Sequence, residues 1–182
     1  MTPAAGSIWY FAYGSNMCGE TFRGRRGISA TRAVPARVPG WRLVFDKPGV
    51  VPLPEGYGNV VPDPTAEVCG VLYELTLAEL AHVELTEGVL IGNYRRAEVD
   101  AWALADAAGP VRAVTLVSDR RAPELRPSGR YMMLVVAGAE EHGLPSAWVD
   151  ALRAVPTTPD TDESGRLRAL LDEVLRALRR DR

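Results

Sequence analysis

Ile8-Trp9-Tyr10-Phe11-Ala12-Tyr13-Gly14-Ser15-Asn16-Met17-Cys18 carries the chain from an apolar, aromatic run into a turn. Aromatic and β-branched residues favour a pleated backbone, so residues 8–12 read as a strand. Gly14-Ser15-Asn16 ends it. Glycine permits a tight turn or a close approach to a ligand, and Asn16 suits the cap of a following helix. A strand that stops in this way can direct several backbone N–H groups at one point, as an uncharged loop does when it holds an anion or oxyanion. Taken alone, the same residues also fit a strand-to-helix turn with no chemistry.

Further strands are expected over 33–45, 67–75, 93–104 and 111–118. Val68 to Leu75 reads as buried on both faces, whereas Arg95 to Trp102 alternates as a half-exposed strand does. Pro35 and Pro39 make the second strand an edge or a bent one. Thr76-Leu77-Ala78-Glu79 is a capping-box pattern that starts a short helix over about 77–85, with Glu87-Gly88 just past its end. Ser146 is read as the cap of a helix reaching about Ala154, stopped by Pro156. Met132 to Ala139 fits a buried strand or a helix equally well by periodicity. Leu167, Leu170, Leu171, Val174, Leu175 and Leu178 recur at helical spacing, so an amphipathic helix is expected over about 162–180. Its apolar face docks on the chain's own body or pairs with a second copy as a homodimer. Strands and helices without regular βαβ alternation indicate an α+β domain. Two Pro- and Gly-rich loops, about 46–58 and 119–130, are long enough to expect a functional rim.

A chain of 182 residues, 47% hydrophobic, is sized for one domain, 1–182, with a packed core. The net charge of −2 gives no field favouring nucleic acid. Arg23, Arg25 and Arg26 read as a solvated loop, and Lys47 is the only lysine. Cys18 and Cys69 form no CxxC pair. With only His82 and His142 beside them, no metal-ligand spacing arises, so no metal or cofactor is expected. Free thiols, no visible secretory leader and no apolar run able to cross a bilayer give the expectation of a cytoplasmic protein with no membrane partner.

Two further segments join the opening one. Glu84-Leu85-Thr86-Glu87-Gly88-Val89-Leu90-Ile91-Gly92-Asn93-Tyr94 lies mid-chain, and Pro127-Ser128-Gly129-Arg130-Tyr131 precedes Gly138-Ala139-Glu140-Glu141-His142-Gly143-Leu144-Pro145. Together, in this order, the three resemble the γ-glutamylcyclotransferase (AIG2-like) family, over about residues 8–155. Met17 stands where that family often has Leu, a nearly volume-conserving exchange. The resemblance implies a small mixed β-barrel with helices packed around it, and a helix over Met132 to Ala139.

The reaction it implies is intramolecular. The α-amine of a γ-glutamyl group attacks its own γ-carbonyl, closes 5-oxoproline and expels the attached amine or amino acid, which is lyase and acyltransferase chemistry. The resemblance implies Glu87 as general base and then acid, and Tyr10, Phe11, Ala12, Tyr13, Gly14, Ser15, Asn16 and Tyr131 as contacts to the glutamyl part. A carboxylate is a weak base for an ammonium unless its surroundings are apolar, and Val89, Leu90 and Ile91 are expected to supply that setting. The partner implied is a small γ-glutamyl compound. The contrasting reading is a non-catalytic module that keeps the cavity and binds a small molecule.

Overall fold

Between Ser7 and Arg153, glycine, proline and charge punctuate the described residues into five strands and three α-helices. The computed structural model describes residues 1–51, 53–105 and 109–159, together with 165, 166, 169, 170 and 173. Strand β1 (Ser7–Ala12) is followed by short turns, then by β2 (Arg32–Pro48) and β3 (Gly56–Thr76), which form one long antiparallel hairpin from Arg32↔Glu74 to Pro48↔Gly56. β4 (Arg95–Ala103) and β5 (Val111–Val117) pair antiparallel from Arg95↔Val117 to Ala101↔Val111. β1 pairs antiparallel with β3, with Tyr10 opposite Tyr73, and parallel with β5, with Tyr10 opposite Val114. A contact of β4 with β2 at Ala36↔Ala103 completes a closed barrel in the order β1-β3-β2-β4-β5.

Side-chain alternation along each strand divides the core in two. Trp9, Phe11, Ala36, Val38, Val68, Leu72, Val99, Ala101, Val111 and Ala113 cluster together, drawn from all five strands and from no helix, and fill the barrel. Tyr10, Ala12, Cys69, Val71, Tyr73, Val114 and Leu116 point the other way and pack against the helices. β3 has neighbours on both sides and the helical layer outside it, which is why Val68 to Leu75 is buried throughout. Arg95 to Trp102 alternates, with Val99 and Ala101 buried.

Helix α1 (Leu77–Glu87) starts at the capping box read from sequence: the Thr76 hydroxyl accepts from the Glu79 N–H, and the Glu79 carboxylate accepts from the Thr76 N–H at 2.8 Å. It ends two residues later than the sequence indicated. Glu87 is its last residue, and Gly88 closes it at φ 72°, the left-handed conformation that suits glycine. Helix α2 (Gly129–Glu141) is capped by the Ser128 hydroxyl, and it contains the ambiguous run Met132 to Ala139. Helix α3 (Ser146–Arg153) is entered through Pro145, so Ser146 is its first residue rather than its cap. The 46–58 loop is shorter than expected, because β2 runs to Pro48 and β3 starts at Gly56. The amphipathic segment over 162–180 lies outside the described residues apart from five isolated positions. No helix among the described residues is long and apolar enough to cross a membrane.

Candidate active site

The strand-ending turn is built as two tight pieces. Ser15–Met17 forms a 3-10 turn, closed by the Met17 N–H on the Gly14 carbonyl at 3.0 Å. Glu20–Arg25 is a π-helical turn, closed by the Arg26 N–H on the Thr21 carbonyl. Such wide turns are rare and re-aim the residues that follow them. Here they set Arg26 opposite the end of α1. From behind, α2 presses on the turn at Gly138, where a Cβ would lie 2.5 Å from the Cys18 nitrogen. The Tyr73 hydroxyl donates to the Met17 carbonyl at 3.1 Å and holds the turn from the barrel side.

Glu87 meets this turn across 71 residues of sequence. Its Oε1 accepts from Asn16 Nδ2 at 2.8 Å and from Arg26 Nη2 at 2.7 Å. No hydrogen bond engages Oε2 among the described residues. The side chains of Arg26 and Glu87 are only 13% and 18% exposed, so the pair is largely withdrawn from water. Arg26 is held on every nitrogen: Nε donates to Asn16 Oδ1 at 2.7 Å and Nη1 to the Thr86 hydroxyl. Its backbone carbonyl faces His82 Nε2 at 2.9 Å. Asn16 Nδ2 also reaches the Tyr10 hydroxyl at 3.1 Å. A planar guanidinium and a planar amide thus fix one carboxylate oxygen from two sides and leave the other unengaged.

Glu87 opens into a cavity of about 470 Å³ that Tyr10, Tyr13, Gly14, Ser15, Asn16 and Tyr131 also line. The Tyr131 hydroxyl accepts from the Gly58 N–H at 3.1 Å, and the Ser15 N–H is directed at it as well. Its ring meets Tyr57 edge-on, centroids 5.2 Å apart. The Tyr94 hydroxyl donates to the Gly58 carbonyl at 2.8 Å, and Tyr13 donates to the Leu116 carbonyl. Burial pushes the Tyr131 hydroxyl up to about 12, and burial also raises Tyr10, Tyr13 and Tyr94, with Glu87 adding to the shift in each case. All four therefore stay protonated at neutral pH.

Four expectations change. Phe11 and Ala12 do not line the cavity: alternation sends Phe11 into the barrel and Ala12 under the helices. Asn16 caps no helix, because its side chain is taken up by Glu87, Arg26 and Tyr10. Leu90 and Ile91 do not bury Glu87, since they are 85% and 69% exposed, and its carboxylate is met instead by Asn16 and Arg26. Arg26 was read as part of a solvated loop, and instead grips the carboxylate. Its two neighbours carry the same charge in sequence, so local composition held no signal to single it out. Lys47, Tyr57 and Asn93 also line the cavity unannounced. Of these, only Lys47 stood out beforehand, as the sole lysine. The first Pro- and Gly-rich loop supplies Gly49, Val50, Val51 and Leu53 to the rim, whereas the second contributes only at its helix end, through Ser128 and Arg130.

Known proteins agree with this architecture. The AIG2-like family matches residues 67–152. A γ-glutamyl cyclotransferase of Aspergillus oryzae, aclK, is 31% identical over 165 residues, covering 80% of this chain and 60% of that protein. The human γ-glutamylcyclotransferase is 27% identical over 177 residues, covering 96% of this chain and 90% of that protein. A solved structure of a γ-glutamyl cyclotransferase superposes with a TM-score of 0.74 at 26% identity, covering 88% of this chain and 97% of that one. The chain belongs to the γ-glutamylcyclotransferase/AIG2-like family of enzymes.

Proposed function

We propose that this chain is a cyclotransferase that converts a γ-glutamyl group into 5-oxoproline and releases the attached amine. The observation that carries the reading is the 2.8 Å bond between Asn16 of the strand-ending turn and Glu87 at the end of α1, inside one cavity. Glu87 Oε2 takes a proton from the substrate's α-ammonium. The freed amine attacks the γ-carbonyl, the new C–N bond forms, and the carbonyl oxygen becomes an oxyanion that backbone N–H groups of the Tyr13–Asn16 turn receive. The tetrahedral intermediate collapses, the original C–N bond breaks, and Glu87 returns the first proton to the departing nitrogen; the ring nitrogen then gives up its second proton by way of Glu87, so that the lactam is neutral and the amine leaves as its ammonium. Ring closure within one bound molecule carries a high effective molarity once the chain is bent. A general acid–base group contributes roughly 10²–10⁴-fold, and an oxyanion donor roughly 10²–10³-fold. Arg26 holds Glu87 oriented between turnovers, so the carboxylate is in place when substrate arrives.

The leaving side faces the rim, where Val50 is 57%, Leu85 48% and Ile91 69% exposed. This supports a leaving amine with an apolar body. The test is a panel of γ-glutamyl dipeptides, γ-glutamyl-lysine, γ-glutamyl alkylamines and glutathione, with 5-oxoproline read by mass spectrometry. Product from the parent protein and a loss of roughly 10²–10⁴-fold in Glu87→Gln is expected. Undiminished turnover in Glu87→Gln would remove the base assignment. No product from any member would favour a binding module on the same fold.

A further inference from the structure

The only lysine of the chain is buried in the cavity. Lys47 lies near the end of β2, just past an irregularity in pairing between Val44↔Asn59 and Lys47↔Tyr57. Such a bulge re-aims the side chains that follow it. Lys47 is 2% exposed and lines the cavity with Glu87. An ammonium taken out of water is costly unless an anion faces it. Yet among the described residues no carboxylate lies within ion-pairing distance of it. Its Nζ donates to Asn93 Oδ1 at 2.6 Å, and it sits 4.5 Å and 5.7 Å from the ring centres of Tyr94 and Tyr57. Three N–H donors thus have one neutral acceptor and two aromatic faces.

We infer that Lys47 is the carboxylate anchor of the cavity: its ammonium pairs with a carboxylate of the γ-glutamyl substrate and so sets the reacting end against Glu87. The inference rests on the cyclotransferase reading. Asn93 ties the two ends together, because its Oδ1 takes the Lys47 proton donor while its Nδ2 donates to the Glu87 backbone carbonyl at 2.8 Å. Arg120 Nη1 donates to the same Oδ1 at 3.1 Å, so Asn93 cannot turn away. The aromatic floor excludes water, which strengthens an ion pair formed there. Burial pushes the Lys47 ammonium down to about 8, with Glu87 opposing the shift and Arg120 adding to it. The charged and titratable groups around it are Glu87 at the end of α1, Arg120 beyond β5, Tyr57 on β3 and Tyr94 ahead of β4, and the buried Glu55, which meets the Tyr57 hydroxyl at 3.4 Å, lines the same cavity. At neutral pH the ammonium is charged, and it is lost as pH rises through about 8.

Two carboxylates are candidates, that of the glutamyl α-carbon and that of a leaving amino acid. The experiment measures kcat and KM for the parent, Lys47→Met and Lys47→Arg on a γ-glutamyl dipeptide, its glutamyl α-carboxamide and its leaving-group carboxamide. Lys47→Met should raise KM at least 10-fold on the dipeptide, with Lys47→Arg recovering part of the loss. The difference from the parent should vanish on whichever carboxamide lacks the anchored group, which names the carboxylate. A KM equal to the parent's on every substrate, or an equal loss on all three, overturns the inference. Titrating the same compounds into Glu87→Gln and Glu87→Gln/Lys47→Met by calorimetry reads the preference without turnover. Absence of 5-oxoproline then sinks the cyclotransferase reading, while a Lys47-dependent carboxylate preference still stands. If Lys47→Met does not fold, the parent and Lys47→Arg decide by pH: the parent's preference for carboxylate over carboxamide should fall above pH 8 and that of Lys47→Arg should not. A preference in the parent that is flat to pH 10 overturns the inference.

Discussion

Arg26 shows how much one residue in the site depends on its neighbours. Its guanidinium serves Glu87, Asn16 and Thr86 at once. Arg26→Gln should therefore cost roughly 1–3 kcal/mol by leaving partly buried acceptors without donors, read from denaturant midpoints. It should also lower kcat more than 10-fold, because Glu87 loses its orientation. A variant with reduced stability and unchanged kcat would limit Arg26 to a structural role. Lys47 behaves oppositely. Its folded-state pKa lies below the ordinary 10.5, at about 8, so the folded state binds its proton less well than the unfolded chain does. The penalty is fully present below pH 8 and fades as pH rises from 8 towards 10.5. Lys47→Met should stabilise the protein at pH 7 by about 1–3 kcal/mol while weakening substrate binding. Loss of stability at pH 7 would contradict that sign. Tyr131→Phe removes the acceptor for the Gly58 N–H and should cost roughly 1–2 kcal/mol, with a milder loss of turnover than Glu87→Gln.

At the scale of elements, the site is a contact between a strand-ending turn and two helix ends. α2 can approach the turn only because position 138 has no side chain: a Cβ there would also lie 2.6 Å from the Met17 carbonyl carbon. The neighbouring atoms are backbone, so they cannot yield cheaply. Gly138→Ala should shift the Ser15–Met17 turn, cost roughly 1–3 kcal/mol and reduce kcat/KM well beyond what stability explains. Unchanged kinetics at a lowered Tm would confine Gly138 to packing. Some of this element-scale design is legible locally. The capping box at Thr76 fixes where α1 begins, because both reciprocal bonds form within one turn. The end of α1 was misplaced, since helical residues 86 and 87 carry no stronger local signal than a loop would. The first half of β3, from Gly56, lies outside the strand expected over 67–75: it contains Pro62 and Pro64, and only pairing with β2, with Pro62 opposite Trp41, makes it a strand.

The whole molecule holds the site in place by closing the barrel. β1 delivers the turn, β3 and β5 flank β1, and α1 leaves β3 directly at Thr76, so the turn and Glu87 hang from adjacent strands. A ligand that touches both should stabilise the entire fold. A γ-glutamyl substrate at 100 times its Kd, added to Glu87→Gln, should raise unfolding free energy by about 2.7 kcal/mol and Tm accordingly. No shift at saturation would mean that the cavity is not the binding site.

The amino-acid sequence by itself determined the strand that ends at Gly14-Ser15-Asn16, the start of α1, the buried centre of β3 and the family to which the chain belongs. These depend on short-range geometry: alternation, reciprocal caps and motif order are written in neighbouring residues. Only the tertiary structure decided which arginine of three grips Glu87, that Asn16 is a ligand of that carboxylate rather than a cap, that Phe11 and Ala12 turn away from the cavity, and that the sole lysine is buried in it. Each of these depends on contacts between residues far apart in the chain. Charge and hydrogen-bonding capacity are visible in a sequence, but the partner that uses them is set by how the barrel closes.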